Sequence, residues 1–232
     1  MKRILLLGVV AVAGCGGGDD EIALPQGDDP VEIDPARFSA DVDHPFWPMR
    51  PGTKWVYREG DQRVEVTVTD RTRTVMGVET RVVHDLATED GVPVEDTFDW
   101  YAQDDDGNLW YFGEDTTEYE DGKPVGHPGA WEAGVDGALP GILLPAEPEV
   151  GMTYRQEYDA GEAEDRAKVL ALDETVTVPF GRFEGALRTE DTTPLEPDVV
   201  EHKLYVRGVG PVLALKLKGD TGREELVGFS QP

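Results

Sequence analysis

The chain has 232 residues and a formal net charge of −27, from 48 acidic and 21 basic side chains. This acidity excludes a sequence-independent nucleic-acid binder, which needs a basic face to displace counterions. It also disfavours adsorption of the folded part to anionic lipid. Three explanations of the acidity stay open: solubility through self-repulsion, life in a salty medium, and an acidic surface that gathers cations.

The N-terminus has the parts of a secretory signal peptide over residues 1–14. Lys2 and Arg3 give the positive start, and the apolar stretch that follows is too short to span a bilayer. It ends in VAGC, which resembles the bacterial lipobox. The resemblance implies cleavage before Cys15, acylation of that cysteine with chains such as palmitate, and an extracytoplasmic, membrane-anchored protein. Gly16 favours the outer membrane in a Gram-negative host; otherwise the outer face of the cell membrane is expected. The alternative is an ordinary signal peptide that happens to hold a cysteine.

Cys15 is the only cysteine, which excludes an intramolecular disulfide and a cysteine-based zinc site. Residues 15–44 are rich in Gly, Pro and Asp and lack a sustained apolar period. Such a composition predicts a flexible tether between the lipid anchor and the folded part. A chain of this length holds one large β domain or two small ones, and we expect a single β domain over residues 45–232.

The expected domain shows strand periodicity. Residues 64–68 alternate valine with polar residues, as in a half-buried strand. Residues 95–114 hold two aromatic-rich arms around an Asp106-Gly107 turn, which predicts a central hairpin. Both faces of each arm carry bulky apolar groups, so we expect this hairpin to be covered on both sides.

Residues 116–151 are rich in Gly and Pro and predict one long covering loop. Trp131 and the run Ile142-Leu143-Leu144 are too apolar for a free linker. Exposing them together would cost several kcal/mol at about 25 cal/mol per Å2, so we expect them to pack onto the sheet.

The chain also repeats itself weakly, since residues 52–57 are echoed by residues 151–156. This pattern predicts an all-β fold, either a curved antiparallel sheet or an open β-barrel. Two duplicated β meanders, over residues 45–115 and 145–232, would build it. The alternative is a single meander with recurrent turn chemistry.

Several classes of catalysis are excluded. The only serines are Ser39 and Ser230, neither of which stands in a nucleophile elbow. Lipidation of Cys15 would leave the chain without a free thiol for cysteine catalysis. The sequence also has no glycine-rich phosphate-binding loop. Acidic pairs are too numerous to indicate glycoside hydrolysis. We therefore expect no enzyme, and a carboxylate-based enzyme is the weakest alternative.

One turn has the spacing of a calcium loop. Asp104, Asp106 and Asn108 stand like the first, third and fifth ligands of an EF-hand, which offers hard oxygens to the ion. Leu109 and Asp115 replace the Gly and Glu that the EF-hand requires further on. Calcium is thus an alternative to an ordinary hairpin turn, and no other cofactor is predicted.

Aromatic and polar side chains indicate a ligand-binding surface. A concave sheet roofed by the covering loop would form an apolar pocket. The polar cluster that begins at Tyr154 is a second candidate, against the alternative of a solvated hairpin. The candidate ligand-binding residues are Trp100, Trp110, Trp131, Leu143, Tyr154 and Arg155.

Four stretches carry a family resemblance: residues 51–57 (PGTKWVY), the central hairpin, residues 140–146 (PGILLPA) and residues 154–158 (YRQEY). With them the chain resembles a family of bacterial lipoproteins of uncharacterised activity. The resemblance implies a cell-envelope location and a secreted β domain, and it implies no reaction.

The predicted function is that of a binding module for a small apolar or amphipathic ligand. The alternative is a structural or interaction lipoprotein of the cell envelope with no small-molecule ligand. A pocket lined by aromatic side chains favours the first, and a filled core favours the second. The one partner expected from the sequence is the membrane, through lipidated Cys15.

Overall fold

The computed structural model describes residues 24–218 and 221–232. The predicted signal peptide and Cys15 lie outside the described residues. Within them the fold is all-β, as predicted, with sixteen strands and a short 3-10 helix at Pro35–Arg37. No helix in these ranges is both long enough and apolar enough to cross a membrane.

Every strand pair in the described part of the chain is antiparallel. In chain order the strands are β1 (Phe38–Ser39), β2 (Lys54–Glu59), β3 (Gln62–Val75), β4 (Val78–Glu89), β5 (Val92–Asp104), β6 (Leu109–Glu120), β7 (Lys123–Gly126), β8 (Trp131–Glu132), β9 (Leu139–Leu144), β10 (Thr153–Arg155), β11 (Glu157–Tyr158), β12 (Arg166–Val178), β13 (Gly181–Thr192), β14 (Val200–Val206), β15 (Gly210–Lys218) and β16 (Gly222–Ser230).

Two five-stranded meanders build the sheet. The first runs β2-β3-β4-β5-β6, and the second runs β10-β12-β13-β14-β15 in the same order. Strand β16 pairs with β15 on one side and with β2 on the other, and it joins the meanders into one sheet. The meanders also begin alike, because Val68 N donates to Thr53 O and Val169 N donates to Met152 O, both at 2.9 Å. The two meanders therefore share their strand order and their first contact, and duplication of the chain stays a prediction.

The two edges of this sheet meet. One edge is β10, and the other is β11, which pairs with β9. A single residue, Gln156, separates β10 from β11, so the chain itself passes from one edge to the other. Gly141 permits this passage, since a Cβ there would lie 2.6 Å from the Arg155 carbonyl oxygen. The sheet therefore curls into a barrel. Its two edges are joined at a seam where the chain passes from β10 to β11.

The central hairpin forms as predicted, with β5 paired to β6. On the outer face, the Phe38 ring covers Trp110 and Phe112 at centroid distances of 5.8 and 5.5 Å. On the inner face, Tyr101 and Tyr111 stack at 4.8 Å. The apolar groups on the two faces thus have different partners, one in the N-terminal segment and one inside the barrel.

The structure differs from the expected flexible tether over residues 24–44. Strand β1 pairs with the end of β5, and Val42 is buried. The Arg155 guanidinium donates to the backbone oxygens of Gly27 and Asp29, both at 2.8 Å. A segment too polar to fold alone is thus held by hydrogen bonds from the barrel, and the packed part of the chain begins well before residue 45.

The expected covering loop is largely made of short strands. Strands β7, β8 and β9 each pair with β6. Trp131 is 4% exposed, and Ile142 and Leu144 are fully buried, so these side chains pack onto the sheet as predicted. The sequence did not predict β7, β8 and β9, because each strand is short and lies between turns that contain glycine.

Candidate ligand cavity

A cavity of about 580 Å3 lies inside the barrel. Both meanders contribute to it, since its lining comes from β2 to β6 on one side and from β14 to β16 on the other. Its volume lies within the range of small-molecule sites, roughly 300–1,000 Å3. The aromatic lining residues are Trp47, Tyr57, Tyr101, Tyr111 and Tyr205, and the apolar ones include Val64, Val66, Val83, Leu143 and Leu213.

The segment between β1 and β2 closes one end of the barrel. Its Pro45 oxygen accepts a hydrogen bond from Gly208 N at 2.8 Å, in the turn between β14 and β15. Its Trp47 ring lies 5.9 Å from Tyr101 and 6.1 Å from Tyr205. With the Tyr101–Tyr111 stack, these rings form a continuous surface that we call the aromatic wall: Trp47, Tyr101, Tyr111 and Tyr205.

Carboxylates dominate the polar lining. The lysines that reach the cavity are already paired with acids outside its lining. Lys203 lies 3.2 Å from Asp191 and 3.3 Å from Glu201, and Lys216 lies 2.9 Å from Glu59. Within the described residues, no basic nitrogen lies within 4.0 Å of a cavity carboxylate. The cavity carboxylates are Asp85, Glu95, Asp99, Glu114, Glu157, Asp165 and Glu224.

This arrangement raises the pKa of every cavity carboxylate. Burial, and then the charge of Asp99, raises the pKa of Glu114 to about 8. Burial, followed by the charge of Glu201, raises the pKa of Glu224 to about 7. Burial raises the pKa of Asp99 to about 6, against hydrogen bonds from tyrosine hydroxyls. The cavity thus holds both protonated and ionised carboxyls at neutral pH.

A tyrosine joins two of these groups. The Tyr111 hydroxyl lies 2.7 Å from Asp99 Oδ1 and 2.7 Å from Glu114 Oε2. A phenol has one proton, so one of these two contacts needs a carboxylic acid as its donor. The pKa of Glu114, about 8, is higher than that of Asp99, about 6, so Glu114 holds a proton more readily than Asp99 does. The two carboxyls are thereby coupled through one hydrogen-bonded hydroxyl.

A bulge in β6 places the side chains of both Tyr111 and Glu114 on the cavity side. Tyr111 and Glu114 are three residues apart, which in a regular strand puts side chains on opposite faces. Between them Gly113 has a φ of 130°, and the β5–β6 register shifts in this region. Trp131 packs so closely against the bulge that a Cβ on Gly113 would collide with the carbonyl oxygen of Trp131.

The predicted ligand-binding residues separate into several places. Leu143 lines the interior cavity. Trp100 and Trp131 line a second pocket of about 380 Å3, where the Arg73 guanidinium carbon lies 4.0 Å from the Trp100 ring centroid. Glu114 lines both spaces, so its side chain stands between the interior cavity and this outer pocket. Trp110 lies elsewhere, under Phe38.

Tyr154 and Arg155 lie in the closing seam of the barrel. Tyr154 is fully buried, and its hydroxyl has no hydrogen-bond partner among the described residues. Arg155 donates to the Pro140 oxygen at 2.8 Å, besides its two bonds to the N-terminal segment. The guanidinium therefore connects β9, β10 and residues 27–29, a role that its sequence neighbourhood did not indicate.

The predicted calcium ligands are engaged with protein partners. Asp104 accepts hydrogen bonds from Asn108 N at 2.8 Å and from Trp110 Nε1 at 2.7 Å. Asp106 lies 2.7 Å from an Arg37 nitrogen, and Asn108 Oδ1 accepts from Ala146 N at 2.9 Å. These bonds describe a capped hairpin turn, and calcium binding here stays a prediction.

Sequence reasoning missed the cavity carboxylates. Glu114, Glu157 and Glu224 look like ordinary polar residues in a chain with 48 acids. One signal was available in Gly113, because a glycine inside an aromatic strand often marks a bulge that re-aims its neighbours.

No protein-family model matches the chain, and no curated protein matches it. Two solved structures are similar to it in fold. One is a candidate exported protein with a YmcC-like fold from Bacteroides fragilis NCTC 9343, with a TM-score of 0.44 and 15% identity, over 80% of this chain and 99% of that one. The other is a candidate lipoprotein from Parabacteroides distasonis ATCC 8503, with a TM-score of 0.44 and 12% identity, over 80% and 98%. Likeness at this level supports no inference about activity, so function has to follow from the cavity itself.

Proposed function

We propose that the protein is a binding module whose interior cavity takes a small amphipathic ligand. The observation that supports this is the 580 Å3 space between the two meanders. Barrels of about eight strands are filled by side chains, whereas a wider barrel such as this one, with thirteen strands along its path, has room inside for a ligand. An unfilled interior lined by aromatic rings favours ligand binding over a structural envelope protein.

The lining has the two kinds of surface that an amphipathic molecule needs. Val64, Val66 and Leu213 offer apolar contact, while Glu95, Glu157 and Glu224 offer polar contact. Binding sites of this size are typically apolar with a few polar groups that orient the ligand, and the seven carboxyls make this lining more polar than a typical one. The division of the lining between apolar and polar groups therefore matches a ligand with a hydrocarbon part and a polar end.

A plugged cavity tests this proposal. We expect native mass spectrometry of the protein purified from its own host to show a bound small molecule. Leu213→Trp places an indole in the cavity and should abolish the bound mass. Leu217→Trp makes the same change on the same strand at an exposed position and should retain it. A bound mass that survives in the plugged variant, or none in the wild type, would favour the structural alternative.

We also propose that the protein acts on the extracytoplasmic side of a membrane, anchored through Cys15. The support is the lipobox sequence VAGC and the signal-peptide pattern before it. Cys15→Ala is expected to move the protein from the membrane fraction to the soluble fraction after cell fractionation. A variant that stays in the membrane fraction would overturn the anchor.

A further inference from the structure

We infer that the polar end of the ligand is a cation of the ammonium class, held between the aromatic wall and the cavity carboxylates. This inference rests on the proposed function, because it assigns a chemical class to the ligand of the same cavity. It makes the cavity selective by charge as well as by size.

The charge balance of the cavity is the first observation. Ionised carboxylates in a protein interior need an opposite charge, or they take up protons. Lys203 and Lys216 are engaged by acids outside the lining, and the aromatic wall carries no charge. A positively charged ligand would supply the missing partner, whereas an anion would add to a carboxylate charge that Lys203 and Lys216 offset only in part.

The aromatic wall is the second observation. A cation lies favourably against the face of an aromatic ring, and several rings around one space form the usual cage for methylated ammonium groups. The ring centroid of Trp47 lies 5.9 Å from that of Tyr101 and 6.1 Å from that of Tyr205. The ring of Tyr111 carries the hydroxyl that holds Asp99 and Glu114, so rings and carboxylates meet at one place.

A buried amide is the third observation, and it is independent of the acids. Gln156 is 4% exposed, lines the cavity, and its Nε2 has no hydrogen-bond partner among the described residues. An unpaired buried donor destabilises the folded protein, and a ligand acceptor would satisfy it. The buried Trp47 Nε1 is unpaired in the same way and also belongs to a lining residue. The ligand is therefore expected to carry an oxygen acceptor in addition to its cation.

The protonation behaviour agrees with this class of ligand. Carboxyls whose pKa is raised by burial lose protons when a cation enters beside them. Asp99, Glu224 and Glu114, with pKa values of about 6, 7 and 8, span neutral pH. Cation affinity is therefore expected to rise with pH through this range.

A set of three probes tests the inference by calorimetric titration. Octyltrimethylammonium, octanol and octanoate carry straight alkyl chains of eight, eight and seven carbons and differ mainly in head-group charge. We expect the ammonium probe to bind at least about tenfold more tightly than the alcohol, since a tenfold change corresponds to about 1.4 kcal/mol and one desolvated cation–π contact is worth as much or more. Octanoate should bind weakest.

Variants assign the charge preference to the cavity. Glu224→Gln and Glu114→Gln should each reduce the preference for ammonium over alcohol, and Glu79→Gln, on an exposed part of β4, should leave it unchanged. Two substitutions are used so that an unfolded Glu114 variant does not decide the test. Equal binding of all three probes to the wild type would overturn the cation while leaving the binding module intact. No binding of any probe would overturn both.

Discussion

Raising the pH from about 5.5 to about 8.5 is expected to lower the stability of the ligand-free protein by on the order of 6 kcal/mol. The cause is the set of cavity carboxyls whose pKa values are raised by burial. In the unfolded chain they are already ionised at the lower of these pH values, whereas in the folded protein they still hold protons. The free energy of unfolding therefore falls as the folded protein loses these protons.

The sign follows from proton counting. Stability falls with pH wherever the folded state binds more protons than the unfolded state. For Glu114 this window extends from its ordinary pKa of 4.5 to about 8, and for Glu224 to about 7. Asp99 contributes from 3.8 to about 6. The stabilisation is complete below the unfolded pKa values and is lost as the pH passes the folded ones.

The other groups that face these carboxyls do not reverse the trend. Lys203 stays charged across the window, since neighbouring carboxylates raise its pKa against the effect of burial. The pKa of Lys216 is raised as well, by its hydrogen bond to Glu59. Burial also raises the pKa values of Tyr101 and Tyr111, which stay neutral. The remaining cavity acids, Asp85, Glu95, Glu157 and Asp165, have raised pKa values and add to the same slope.

Thermal melting at several pH values measures this effect. A loss of this size corresponds to roughly 12–24 °C in melting temperature for a domain of this length. Glu114→Gln and Glu224→Gln should flatten the pH dependence, because an amide does not titrate, while Glu79→Gln should not. A melting temperature that is flat or rises over this range would show that the cavity acids are not held in the protonated form.

Gly141→Ala is expected to destabilise the protein by about 3 kcal/mol, because the added methyl group would overpack a closed contact. Its Cβ would collide with the backbone of Gln156 and lie 2.6 Å from the Arg155 oxygen. These atoms belong to the chain crossing that joins the two edges of the sheet, and neither can move without shifting β11. The cavity should suffer too, since Gln156 and Glu157 line it.

Gly126→Ala is the matched control for this prediction. Gly126 also lies in a short strand beside β6, and a Cβ there would meet nothing closer than a Pro128 carbon at 3.7 Å. Chemical denaturation should give the control a stability close to the wild type and give Gly141→Ala a much lower midpoint. Equal midpoints would mean that the seam is loose and that the barrel is not closed at Gly141.

The central hairpin shows what the sequence can predict. Its two arms and its turn were readable, because Asp106-Gly107 is a strong turn signal and the arms are rich in strand-forming aromatic residues. The sequence did not tell which face turns inward, because both faces are apolar. The structure places Tyr101 and Tyr111 inside, and Trp110 and Phe112 under Phe38.

The cavity could not be predicted for a related reason. Its polar groups come from strands far apart in the chain, such as Asp99 in β5 and Glu224 in β16, and their meeting depends on closure of the sheet. The bulge at Gly113 also breaks the two-residue period that assigns faces. Arg155 was missed as a structural residue because its partners are backbone oxygens, which no side-chain pattern reveals.

The most direct test of the interior binding site is a crystal structure of the protein with bromohexyl-trimethylammonium. The bromine atom gives an anomalous signal that locates the alkyl chain without ambiguity. We expect its peak inside the barrel near Val64, Val66 and Leu213, with the ammonium group against the aromatic wall. A bromine peak found solely on the outer surface, with the cavity empty or filled by rearranged side chains, would contradict the account.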